Sequence, residues 1–270
     1  MAHVPVFFPD CVVALGVPTD AGKTKWVASG FLYGVLSGKT DDQRDTYTVY
    51  LVTNRHVVNG IPRLTLRFNP RDGKPAREYP ADLLDKSGKP IWRSPANPRA
   101  DVAVLRINAN LLQEHGMQFS FFENDKHVAP RTKLNELGVT EGDDVYVLGF
   151  PMGLVGDDRS YVVVRRGVVA RIRDMLSSNN HEFLVDAFTF PGNSGGPVVT
   201  RPASGGITKT KIVKVAQLIG VATGYVPYQD VAISQQTKRP RVIFEENSGL
   251  TAAVAVDFIE EAIAAIPKPG

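Results

Sequence analysis

FPGNSGGPVV, residues 190–199, decides how this chain is read. Gly192, Gly195 and Gly196 surround Asn193 and Ser194, and Pro191 and Pro197 fence the group. Glycine lets the backbone take φ > 0 and lets another group come close. Proline stiffens the turn. A serine held there is exposed, and the neighbouring N–H groups can converge on one point, which suits a nucleophile beside an oxyanion hole. An ordinary tight turn between strands has the same composition. A base, and a group to orient it, must come from elsewhere in the chain.

The bulk properties narrow the field. At 270 residues the chain can bury one large core or two smaller ones. Apolar residues make up 43% and charged residues 22%, the profile of a globular protein. No apolar run reaches the ~18 residues of a membrane-spanning helix, so no membrane partner is expected. The N-terminal MAHVPVFFPDCVVALGV lacks Lys and Arg and is broken by Pro5 and Pro9, a poor secretion leader. Cys11 is the single cysteine, so no intrachain disulfide can form. Together these set the expectation of a cytoplasmic location. Five histidines with one cysteine, none at ligand spacing, argue against metal, and no cofactor is expected. The net charge of +3 is mild, and Arg165-Arg166, Lys209/Lys211 and Lys238-Arg239 read as solvated surface rather than a nucleic-acid track.

Short β-rich runs dominate: 11–17, 27–36, 46–52, 63–68, 101–107, 144–150, 161–172, 182–186, 212–223 and 250–255. Turn chemistry such as SGKTDDQRD, NPRDGKP and DKSGKP separates them. Many short strands joined by turns argue for barrels or a sandwich, an all-β class. Helix is expected near 109–115 and in the terminal VDFIEEAIAAI, with Asp257 as N-cap. The chain divides into a β-rich half at 1–110, a connection at 111–143, a second half at 144–255, and a helix with tail at 256–270.

Two residues answer the need for a base and its partner. TNRHVV, 53–58, sets His56 at the end of an apolar strand, and ADVAVLRI, 100–107, sets Asp101 just before another. Each alone reads as a loop histidine or a turn aspartate. With Ser194 they form a nucleophile, a base and a tautomer-fixing carboxylate. GNSGG also fits the Gly-x-Ser-x-Gly elbow of α/β-hydrolases, but that fold needs serine, acid and histidine in chain order. Here the order is His56, Asp101, Ser194, and the last histidine is His181. The hydrolase elbow falls, and the order is that of double-barrel serine peptidases.

GFLYG (30–34), TNRHVV, DVAVLRI, VYVLGFPMGL (145–154) and DAFTFPGNSGGPVV (186–199) together resemble trypsin-like, chymotrypsin-fold serine peptidases. The likeness is strongest to the bacterial Deg/HtrA-type protease domain, with no PDZ segment after the helix. LIGVATGY (218–225) and LTAAVAVDFI (250–259) extend it. The resemblance implies two perpendicular six-stranded antiparallel β-barrels with a C-terminal α-helix. His56 and Asp101 would come from the first barrel and Ser194 from the second, with Gly192, Asn193 and Ser194 forming the oxyanion hole. It also implies a primary specificity pocket walled by Phe188, by Val221, Ala222 and Thr223, and by Leu250 and Ala252. None of these is acidic, so cleavage after small or medium apolar residues is expected, unless Phe188 turns into the core. Asp186 reads as structural. The polar stretch 225–249 is expected to be a long loop that covers the pocket, receives a partner or holds the enzyme inactive. The expected activity is that of a serine endopeptidase acting on protein or peptide substrates. A silent peptide-binding domain and a hydrolase of other esters remain as alternatives.

Overall fold

The computed structural model describes residues 4–178, 180–202 and 214–266. Its first strands are β1 (Val12–Pro18), β2 (Thr24–Lys39), β3 (Asp45–Thr53), β4 (Arg63–Pro70), β5 (Arg77–Asp82) and β6 (Ala103–Arg106), with the one-turn helix α1 (Arg55–Val58) after β3. Helix α2 (Ala109–Glu114), the short strands β7 (Met117–Gln118) and β8 (Phe122–Glu123) and helix α3 (Arg131–Leu137) follow. The second set is β9 (Asp144–Gly149), β10 (Val163–Arg171), helix α4 (Arg173–Ser177), β11 (Glu182–Asp186), β12 (Pro197–Thr200), β13 (Leu218–Ile233), β14 (Pro240–Ala255) and helix α5 (Asp257–Ala264).

The second set closes into a six-stranded barrel in the order β10-β11-β14-β13-β12-β9. The first runs β5-β4-β1-β2-β3-β6 and stays open, with β7 and β8 attached to β4 and β2. The all-β two-barrel class expected from the sequence holds, with the first member a half-barrel rather than a closed one. The gap has a simple cause. Between β5 and β6 the chain carries Pro90, Pro95 and Pro98, which cannot donate to a ladder. Only single bridges remain there, Leu84 to Pro90 and Arg93 to Val104.

Both faces of β1, β2 and β3 are covered, which is why they carry apolar runs. In β2, Leu32 packs into the interior of the first sheet with Leu15, Leu51 and Leu64. Its neighbours Phe31 and Tyr33 face the other way, into a cluster shared with Val147, Val198 and Val254 of the barrel. One apolar core therefore crosses the seam between the two sheets.

Three sequence expectations change here. The stretch 225–249 is no loop: β13 and β14 run on past the barrel as a paired ribbon, from Pro227 opposite Asn247 to Ile233 opposite Pro240. Its polar residues and Pro227 hid a ladder made by backbone pairing rather than by burial. Strand 212–223 starts at Leu218 among the described residues, and Lys209 and Lys211 lie outside them. Asp257 is the first residue of α5 rather than its cap, and no side-chain bond caps that helix. Its carboxylate instead accepts the backbone N–H of Arg131, at 3.1 Å, at the start of α3. Helix α2 does appear where expected, capped by the Asn108 side chain, which accepts from the N–H of Leu111.

Helix α5 buries Phe258, Ile259 and Ala262 along one face. It is tied to the first sheet by Tyr33, whose buried hydroxyl donates to Glu260 Oε1 at 2.6 Å. Tyr33→Phe keeps the ring and leaves the Glu260 carboxylate short of a donor. We expect urea unfolding to report a loss of about 1–3 kcal/mol.

Candidate functional site

Strand β3 ends at Thr53, and the chain turns through Asn54 into α1, which carries His56 outward. The Asn54 side-chain amide donates to the backbone carbonyl of Asp101 at 2.7 Å. That bond pins the segment before β6 against the α1 turn. Asp101 then meets His56 twice: one carboxylate oxygen accepts the His56 backbone N–H at 3.0 Å, and the other lies 2.5 Å from Nδ1. Burial alone would raise the Asp101 pKa, but the bonds from the His56 ring and backbone outweigh it and hold the carboxyl below its usual range. An ionised partner on Nδ1 keeps the Nδ1–H tautomer and leaves Nε2 free to take a proton.

Ser194 sits half-buried on the turn between β11 and β12. Gly192 has φ +102°, and a Cβ there would meet the Phe150 carbonyl at 2.4 Å. Gly195 has φ +84°, and a Cβ would lie 2.2 Å from both the Ser29 carbonyl and Thr53 Oγ1. These two glycines are therefore required by conformation and by contact. The Gly195 contact also explains how the turn finds its place, because Thr53 is three residues before His56. Asn193 does not serve as an oxyanion donor: its backbone N–H is spent on the Phe190 carbonyl at 2.9 Å, and its buried side chain accepts the Phe190 N–H. It braces the turn. The Ser194 hydroxyl donates to the Thr223 carbonyl at 3.0 Å.

Two further contacts hold the turn, and the sequence reading missed both. Ser29 of β2 is fully buried, donates its backbone N–H to the Ser194 carbonyl at 2.9 Å and its hydroxyl to the Gly192 carbonyl at 2.7 Å. The same hydroxyl accepts the Phe150 N–H at 2.9 Å. On the other side, the Met152 N–H holds the Pro191 carbonyl at 2.6 Å. In a planar trans peptide that turns the Gly192 N–H away from the 151–153 turn. Met152 adopts φ +55°, unusual for a residue with a side chain. The only sequence signal for Ser29 was a small residue in an apolar run, ASGF, just before the quoted GFLYG.

The expected pocket residues divide. Phe188 is 54% exposed and does not turn into the core. Its ring lies beside Gly249. Thr223, Leu250 and Ala252 are half-buried, and the Thr223 hydroxyl donates to the Ala252 carbonyl at 3.0 Å. Val221 and Ala222 are buried in the barrel core, so their side chains cannot wall an open pocket. The Ala222 backbone instead clamps the turn, accepting from Gly195 and donating to Gly196.

A family model described as the trypsin-like peptidase domain matches residues 28–203. A probable periplasmic serine endoprotease DegP-like from Marinomonas sp. is 28% identical over 182 residues, 67% of this chain and 29% of its own length. A protein of the same name from Brucella suis is 33% identical over 149 residues, 55% of this chain and 22% of its own. The serine protease Do-like HtrB of Bacillus subtilis is 25% identical over 197 residues, 70% and 35% respectively. The aligned region thus spans about a third or less of these curated relatives. Their names overturn the expected cytoplasmic location, since the Marinomonas and Brucella proteins are named periplasmic. A lone cysteine forms no intrachain disulfide in either compartment, so the cysteine count could not discriminate. With the match covering well over half of its residues, the chain belongs to the trypsin-like peptidase family.

Proposed function

We propose that the chain is a serine endopeptidase that forms an acyl-enzyme on Ser194, with His56 as general base and Asp101 as the residue that orients it. The bonded His56–Asp101 pair carries this reading, because it prepares an imidazole with one fixed tautomer, and the strand end that leads to it, at Thr53, packs on Gly195 of the serine turn. The Ser194 hydroxyl, now donating to Thr223, rotates about χ1 to give its proton to Nε2 as Oγ attacks the scissile carbonyl. The carbonyl π electrons move onto oxygen, and the N–H groups of Gly192 and Ser194 receive that charge. The imidazolium then protonates the leaving amine as the C–N bond breaks. Water, giving a proton to the same imidazole, then attacks the acyl carbon; the C–Oγ bond breaks, the imidazolium returns the proton to Oγ, and the acid leaves.

The substrate class follows from the wall beside Ser194. Phe188, Thr223, Leu250 and Ala252, all exposed or half-buried, offer an apolar surface with one hydroxyl and no carboxylate. Small or medium apolar residues before the cleaved bond fit that surface, and Lys or Arg would enter unpaired. Proteins and peptides are the proposed substrates.

The decisive experiment is labelling with a fluorophosphonate, mapped by mass spectrometry. Label confined to Ser194 and lost in Ser194→Ala is the expected result, and a folded protein that takes no label would overturn the proposal. Asp101→Asn should slow peptide cleavage by about 10³–10⁴-fold, as loss of the tautomer-fixing carboxylate does elsewhere. Ser29→Ala should lower the labelling rate about ten- to hundredfold while KM for peptides stays nearly constant, since the hydroxyl acts on the oxyanion turn and not on bound substrate. Stability gives a pH test of its own. Because the folded-state pKa of Asp101 is depressed, its contribution is fully present above about pH 4 and is lost as the pH falls through the lowered value. The stability gap between the parent and Asp101→Asn, measured by urea unfolding, should therefore shrink below about pH 4.

A further inference from the structure

From Pro227 to Asn247 the strands β13 and β14 pair with each other and, among the described residues, with no other strand. The outer edge of β14 joins β11 from Leu250 to Val254 and has no partner strand before that among the described residues. Six large apolar side chains, Tyr228, Val231, Ile233, Val242, Ile243 and Phe244, are 41–59% exposed on this ribbon. A two-stranded ribbon is marginal in water by itself, and an unpaired edge is a template for another strand.

The two edges are not equivalent. That of β13 carries Pro227, which offers no N–H, and Asp230. That of β14 reads Arg241-Val242-Ile243-Phe244-Glu245, with neither proline nor glycine. This pentad runs from a cation through three apolar residues to an anion, so it complements itself when reversed. Two copies of one strand can pair antiparallel only about a two-fold axis perpendicular to the sheet, which must pass beside a single residue. Centred on Ile243, the pairing sets Arg241 opposite Glu245 of the second copy, Val242 opposite its Phe244, and Ile243 opposite itself. Centring on Phe244 would oppose Ile243 to Glu245 and Val242 to Glu246. Centring on Val242 would oppose Arg241 to Ile243. Opposite charges facing each other stabilise a ladder, and only the first register provides them.

We propose that the Arg241–Glu245 edge of β14 is a dimerisation strand, pairing antiparallel with the same edge of a second copy about Ile243. The product is a four-stranded ribbon. One face gathers the two Ile243 side chains with Val231, which lies opposite Ile243 on β13, and closes with two Arg241–Glu245 pairs. The other gathers Val242 and Phe244 from both copies. Within each ribbon Glu245 accepts from the Tyr225 hydroxyl at 2.8 Å and from the Gln229 amide at 3.1 Å, both on β13. Those bonds lower its pKa and keep it ionised. Each copy uses its edge once, so assembly stops at two.

Sedimentation equilibrium of the full chain over a wide concentration range tests this. A monomer–dimer equilibrium weakened by salt is expected. Arg241→Glu should weaken the dimer at least tenfold, and the double variant Arg241→Glu/Glu245→Arg should recover most of that loss. An orthogonal test uses Ile243→Cys, whose two copies lie ~5 Å apart by Cβ in this register and should link under mild oxidant. Ile233→Cys, equally exposed on the far strand, should not; the native Cys11 is buried and does not compete. A chain that stays monomeric, a trimer or larger assembly, or a dimer indifferent to Arg241→Glu with no link through Ile243→Cys, would each overturn the proposal. Fluorophosphonate labelling of every variant at Ser194, far from this edge in sequence, checks that the protein remains folded.

Discussion

The fold turns on one buried hydroxyl-bearing residue at the seam between the two sheets. Ser29 belongs to β2 of the half-barrel, yet its backbone and side chain are both spent on the serine turn of the closed barrel. Its carbonyl in turn accepts the Thr53 hydroxyl at 2.8 Å, at the end of the strand that leads to His56. One residue thus sets the turn that bears Ser194 and the strand end that leads to His56 against a common origin. Nothing about this needs a long lever. Each hop is a hydrogen bond of ordinary length in a dry environment, where a donor left unmet is costly.

The burial pattern supports that seam from both sides. Phe31 and Tyr33 face the shared core while Leu32 faces the interior of the first sheet, so β2 cannot shift by one residue without exchanging the two sets. Register in β2 fixes the height of Ser29, and through it the height of the turn. Helix α5 closes the arrangement from the chain's far end, with Tyr33 bonded to Glu260 on one side of β2 and Asp257 bonded to the start of α3.

What the sequence revealed, and what it hid, follows from the kind of signal each element sends. The pairing of His56 with Asp101 was legible because residue type and chain order together suggested it, and the structure bonds the two. Strands with buried faces, such as β2 and β9, were legible because burial writes an apolar run. Strand β5, REYPAD, buries little and was missed. The ribbon beyond Tyr225 was misread for the same reason: its pairing is a backbone property that leaves no periodic apolar mark. Helix α3 has seven residues and a single buried one, Leu134, too little for periodicity, although Gly138 in the left-handed region marks its end. Val221 and Ala222 were assigned to the pocket by position, and only the orientation of their side chains shows that they serve the core. Ser29 could not be found from types and spacing, because its importance lies in what comes to it from Gly192, 163 residues away.

Cys11, the single thiol in the chain, is wholly buried at the entry to β1, donates to the Phe7 carbonyl at 3.5 Å, and has its pKa pushed up by burial and by the nearby acidic Asp10 and Glu123. In the native state it is neither accessible nor a thiolate, so alkylating reagents have to wait for the segment before β1 to loosen from the shared core. The molecule therefore carries an intrinsic clock for loosening of the core shared by the two sheets, and labelling at Ser194 would follow the proposed site. Reading both in one sample would separate loosening of the scaffold from loss of the site, without adding any foreign probe.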